Sequence, residues 1–94
     1  MPVELSRHAA EQFRALIVTR SLPDGTTRRA QRILQRLEHF PELGRELSGR
    51  WAGHRVVLGP WRWMLFVYRI DAEHDRVVVV TVQDARSSTA ITNP

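Results

Sequence analysis

The chain has 94 residues, 43% of them hydrophobic and 26% charged, which is the make-up of one small folded domain over residues 1–94 and excludes a disordered or fibrous protein. Fourteen basic residues, all arginine, stand against ten acidic ones and leave a net charge of +4, which favours anionic partners. There is no cysteine, so disulfides, thiolate metal sites and a cysteine nucleophile are excluded. The longest apolar runs, residues 63–68 and 77–80, fall far short of the roughly 18 residues of a membrane span. The opening Met-Pro-Val-Glu shows no charged-then-apolar leader, so the expectation is a cytoplasmic protein with no membrane partner.

In chain order, residues 3–5 form a short strand. Ser6 caps the helix that follows, whose apolar stripe is Ala9, Ala10, Phe13, Leu16 and Ile17. Pro23 and Gly25 punctuate a loop over residues 21–25. Asp24 or Thr26 caps a second helix with Ala30, Ile33, Leu34, Leu37 and Phe40 on one face. Pro41 biases Phe40 away from helical angles and ends it. The first half thus reads as an αα-hairpin.

From residue 42 to 53 the pattern breaks at Gly44, Gly49 and Gly53. The period then changes to that of strands. Residues 54–58 form one strand and residues 61–70 a long one, apolar on both faces and therefore central and covered on both sides. The polar stretch 71–75 suits a hairpin loop. Residues 76–83 are rich in valine and form the last strand. The tail, 85–94, is small and polar, and residues 87–94 are expected to be disordered unless something holds them. The order is β, α, α, β, β, β. It gives an α+β domain, with an N-terminal strand and a two-helix hairpin packed on a mainly antiparallel sheet of three to four strands.

That order resembles the RelE/ParE superfamily of bacterial type II toxins. The segment His39-Phe-Pro-Glu-Leu-Gly-Arg45 is similar to the superfamily's P-x-x-G-R junction between helix and sheet. Met64-Leu-Phe-Val-Tyr-Arg-Ile70 resembles its central strand, which closes on Tyr or Tyr-Arg. An acidic loop, a Val-rich strand and a terminal Arg86 follow. The likeness runs from Glu4 to Arg86. It implies a growth-arresting toxin held inactive by a cognate antitoxin. It also implies one of two targets, mRNA on the ribosome, which RelE-like members cut, or DNA gyrase, which ParE-like members poison.

Metal-independent RNA cleavage needs a base for the 2′-OH, cations for the charged transition state and an acid for the leaving oxygen. The candidates are Arg55 on the first sheet-hairpin strand, Arg62 on the facing strand and Arg86 at the end of the last, with His54 as the base. Three guanidiniums on adjacent strands can clamp one phosphate. The sequence departs from the nuclease pattern twice. Leu65 stands three before Tyr68, where the superfamily places its arginine, and the tail after Arg86 contains no Tyr or His. Tyr68-Arg69 and that tail lean to the ParE-like reading, whereas the arginine-dense sheet leans to the RelE-like one. A third reading is a basic binding module of the same fold that is not toxic.

Arg28, Arg32 and Arg36 recur every fourth residue on the second helix, either as a basic stripe for RNA or an acidic antitoxin segment, or as a solvated face. Trp51, Trp61 and Trp63 fill the core or an antitoxin groove, or stack on bases. Arg28, Arg32, Arg36, Arg69 and Trp61 are the candidates for binding RNA or a partner protein. Tyr68 reads as structural. Arg69, on a central strand, needs a carboxylate, a surface or a ligand, and Asp71, Glu73 and Asp84 are the available partners. The histidines at 8, 39, 54 and 74 show no metal spacing, and neither a metal nor a cofactor is expected.

Overall fold

The structure, a computed structural model, describes residues 1–87, so most of the tail expected to be disordered lies outside the described residues. The chain runs β1 (Val3–Leu5), α1 (Arg7–Thr19), α2 (Thr26–His39), β2 (Arg45–Glu46), β3 (Arg55–Leu58), β4 (Met64–Asp71) and β5 (Arg76–Asp84). Single 3₁₀ turns occupy Gly49–Trp51 and Ala72–His74.

Ser6 caps α1 as expected, its side chain accepting a hydrogen bond from the Ala9 amide. Gly25, not Asp24 or Thr26, stands at the N-cap of α2, and no side chain caps that helix. Thr26 is instead buried as the first helical residue. α2 ends at His39 because Phe40, preceding Pro41, leaves helical angles (φ −133°, ψ 71°).

The sheet has five strands in the order β1-β5-β4-β3-β2. β1 lies parallel to β5, and the other pairs are antiparallel. Of the five, β2 is the strand the sequence does not announce. Two residues are too few to show a period-2 pattern, and glycines flank the segment. The long strand starts at Met64, not at residue 61. Residues 61–63 form a turn closed by the Met64 amide on the Trp61 carbonyl at 3.0 Å. Arg62 therefore sits exposed in that turn and does not face Arg55 across a hairpin.

β4 is apolar on both faces because both are covered. Met64, Phe66 and Tyr68 join Val77, Val79 and Val82 under Ala9, Ala30 and Leu37 of the helix pair. Trp61 and Trp63 pack against the same cluster from the turn. On the other face Val56, Leu65 and Val67 lie under Leu47 and Trp51, which the 3₁₀ turn folds over them. A register shift at Val67/Tyr68 leaves Val80 without a ladder partner, and this lets Val77, Val79 and Val82 of β5 share the helix side with Met64, Phe66 and Tyr68.

Candidate functional site

The P-x-x-G-R junction and the closing tyrosine of β4 turn out to be one structure. Tyr68 is fully buried. Its hydroxyl donates to the Pro41 carbonyl at 2.6 Å and accepts from the Gly44 amide at 2.8 Å. Burial pushes the phenol above its ordinary pKa, with the Gly44 bond and Arg55 opposing. A Cβ on Gly44 would stand 2.8 Å from the Tyr68 ring and hydroxyl and from the Val56 carbonyl, so only glycine fits there. Arg55, opposite Tyr68 in the ladder, donates to the Gly44 carbonyl at 2.8 Å and the Glu42 carbonyl at 3.2 Å, and pairs with Glu46 at 2.9 Å. Its fork is occupied in holding the strand-entry loop.

Arg86 stands at the other end of the sheet. Asp84 lies opposite Met64, four positions along β4 from Tyr68, a distance of about 13 Å at roughly 3.3 Å per residue. Arg86 grips Asp84 with Nε and Nη2, both at 3.0 Å, and its own amide adds a third bond at 2.9 Å. Arg20, from the end of α1, reaches the same carboxylate at 2.8 Å. The Arg86 hydrogen bonds, and then the charges of both arginines, hold Asp84 below the usual carboxylate range. Trp63 is the floor of this cluster, with the guanidinium carbons of Arg86 and Arg20 at 4.4 and 6.0 Å from its ring. A cleft of about 420 Å³ lined by Leu16, Thr19, Arg20, Asp84 and Arg86 opens beside it. Arg20 escaped the sequence reading, which offered Trp63 only as a core, groove or stacking residue, because sequence shows neither that α1 ends over β5 nor that residues 61–63 turn.

The remaining candidates are dispersed. Arg69 lies 3.9 Å from Asp71, one of the carboxylates proposed for it. That carboxylate also accepts from Arg76 at 3.0 Å and contacts His74 at 2.9 Å, while Arg76 reaches Glu4 at 2.9 Å. Arg76, ahead of His74, holds Asp71 below its ordinary range. His54 packs edge-on against Trp51, ring centroids 5.4 Å apart. It shares a cavity of about 280 Å³ with Arg55, Glu46, Leu47 and Gly53, and its Nδ1 is buried without a hydrogen-bond partner among the described residues. Trp61 lies under Arg29, 4.5 Å from its guanidinium. Arg28, Arg32 and Arg36 are exposed along α2. Asp71, Glu73 and His74 bring potential metal-ligand atoms within 4.8 Å of one another, on a largely exposed turn, but the Asp71 carboxylate is already engaged by Arg76 and His74.

The structure therefore brings His54 and Arg55 together at one end of the sheet, and sets Arg62 and Arg86 at the other. No shared phosphate pocket unites Arg55, Arg62 and Arg86. What the arrangement offers is binding surface: a half-open arginine pair on a tryptophan at one end and a row of arginines along α2.

No family model matches the chain, and neither does any curated protein. Solved structures do. A chain of the toxin–antitoxin complex RelBE2 from Mycobacterium tuberculosis is similar over 88% of this chain and 95% of its own, at 24% identity and a TM-score of 0.58. The conserved hypothetical protein HP0894 from Helicobacter pylori is similar over 89% and 93%, at 13% identity and a TM-score of 0.53. The fold is RelE/ParE-like. In this chain the fifth strand of the sheet is the two-residue β2. Among the described residues no helix is long and apolar enough to cross a membrane.

Proposed function

We propose that this protein is the growth-arresting toxin of a type II toxin–antitoxin system, neutralised by a cognate antitoxin. The observation that carries the reading is the near end-to-end likeness to a chain of a toxin–antitoxin complex. We further propose that it arrests growth by holding its target, as a ParE-like gyrase poison does, and not by cutting mRNA on the ribosome. The dispersal of the arginines supports this. Arg55 is committed to loop carbonyls, Arg86 is clamped on Asp84 and Arg62 stands apart in a turn. Cleavage needs cations, base and acid around one phosphate, and Leu65 occupies the position that the superfamily gives to an arginine.

Inducible expression in bacteria without an antitoxin tests both steps. Arrested growth with relaxed plasmid DNA and intact transcripts is the expected result. Unimpaired growth would remove the toxin reading and leave a binding module of the same fold. Arrest accompanied by transcripts cut on ribosomes would keep the toxin and overturn the mechanism.

A further inference from the structure

The outward face of α2 is a second feature of the molecule, separate from both ends of the sheet. Arg28, Arg32 and Arg36 recur every fourth residue, rising about 6 Å at each step. All three are exposed, and none of them has a hydrogen bond or ion pair among the described residues. Thr27, Gln31 and Gln35 are exposed beside them. Glu38 is the only acid on the helix. No apolar side chain of α2 is exposed, because Ala30, Ile33, Leu34 and Leu37 all turn inward.

That composition argues for one kind of partner. A protein interface has an apolar, charge-poor centre, and this face has none. Arginine, glutamine and threonine are among the side chains that contact phosphates, and the guanidinium fork suits a phosphate best. Where the row ends, Phe40 is 65% exposed, its ring 6.4 Å from that of His39. An open aromatic at the end of a line of cations is a platform for an unpaired base. We propose that the outer face of α2 binds single-stranded nucleic acid, with Arg28, Arg32 and Arg36 on successive phosphates and Phe40 stacked on a base. This rests on α2 alone and is independent of whether the chain arrests growth.

The test is fluorescence anisotropy of the purified full chain with labelled twelve-nucleotide uridine RNA and thymidine DNA, between 50 and 300 mM salt. Three phosphate contacts on a single strand predict that the logarithm of affinity falls with the logarithm of salt with a slope of about −2 from this face. The variant Arg28→Gln/Arg32→Gln/Arg36→Gln, checked for folding by circular dichroism, is expected to bind about tenfold or more weakly and to lose that slope. Phe40→Ala is expected to weaken binding by about fivefold or more while leaving the slope intact. Binding of RNA, DNA or both supports the site and identifies its ligand. Equal weakening by Arg7→Gln/Arg14→Gln on α1 would overturn it as mere net charge. So would equally tight binding of a duplex, or displacement by polyglutamate at matched charge.

Discussion

Five arginines gathered at the sheet and three along the outer face of α2 are the same residue put to opposite uses. Arg55, Arg69, Arg76 and Arg86, together with Arg20 reaching over from α1, each meet a carboxylate. Arg28, Arg32 and Arg36 meet none among the described residues. A guanidinium that already satisfies a carboxylate or loop carbonyls has its direction fixed and its charge offset, so a phosphate must displace a partner to reach it. One standing in water exchanges only hydration. Net charge alone would count all of them as equivalent; the structure separates those that build the sheet ends from those left available.

The sharpest way to break this contrast is at the Arg55 end. Gly44→Ala drives a methyl group into the Tyr68 ring and the Val56 backbone, and is expected to cost about 1–3 kcal/mol, read as a lowered denaturant midpoint. Tyr68→Phe leaves the Gly44 amide buried without its acceptor, at a cost of about 1–3 kcal/mol toward the lower end. If both variants melt like the parent, the junction does not position Arg55.

Next is the Asp84 end, where pH is the probe. Asp84 and Asp71 both titrate below their ordinary value in the fold. Their ionised forms therefore contribute stability fully above the ordinary carboxylate pKa of about 4, and that contribution disappears as pH falls through the lowered folded values. Asp84→Asn should flatten the acid limb of a stability–pH curve and lower stability at pH 7. An unchanged acid limb would mean that the Arg20–Asp84–Arg86 cluster is not formed in solution.

Smaller effects sharpen the comparison. Ser6→Ala removes the acceptor for the Ala9 amide and is expected to cost about 1 kcal/mol, measurable as a lower Tm. The triple glutamine variant of α2 should shift stability by no more than about 0.5 kcal/mol, since the arginines it replaces are exposed and make no hydrogen bond or ion pair among the described residues. A larger loss would show that these arginines also belong to the fold.

Much of the fold was legible because it rests on periodicity. The stripes of α1 and α2, the Ser6 cap, the stop at Pro41 and the doubly apolar β4 all follow from spacing. What escaped was set by geometry too short or too distant for spacing to show. β2 is two residues long, residues 61–63 turn although their composition suits a strand, and α2 begins at Gly25 without a side-chain cap. The site was legible in residue type but not in arrangement. Asp71 was among the partners available to Arg69, but nothing local reveals that Asp84 takes Arg86 and Arg20, or that Arg55 turns to the loop before it.

The parallel ladder between β1 and β5 pairs Val3 with Val77, and Ser6 bonds Val80 across 74 positions of chain. As the protein is synthesised, its first strand has no strand to pair with until almost all of the rest has emerged. Contacts so far apart in sequence close slowly, so both helices and the β3–β4 hairpin can be in place while the sheet is still incomplete. The surface that depends on a finished sheet is thus assembled last, and a chain released before β5 would lack it altogether.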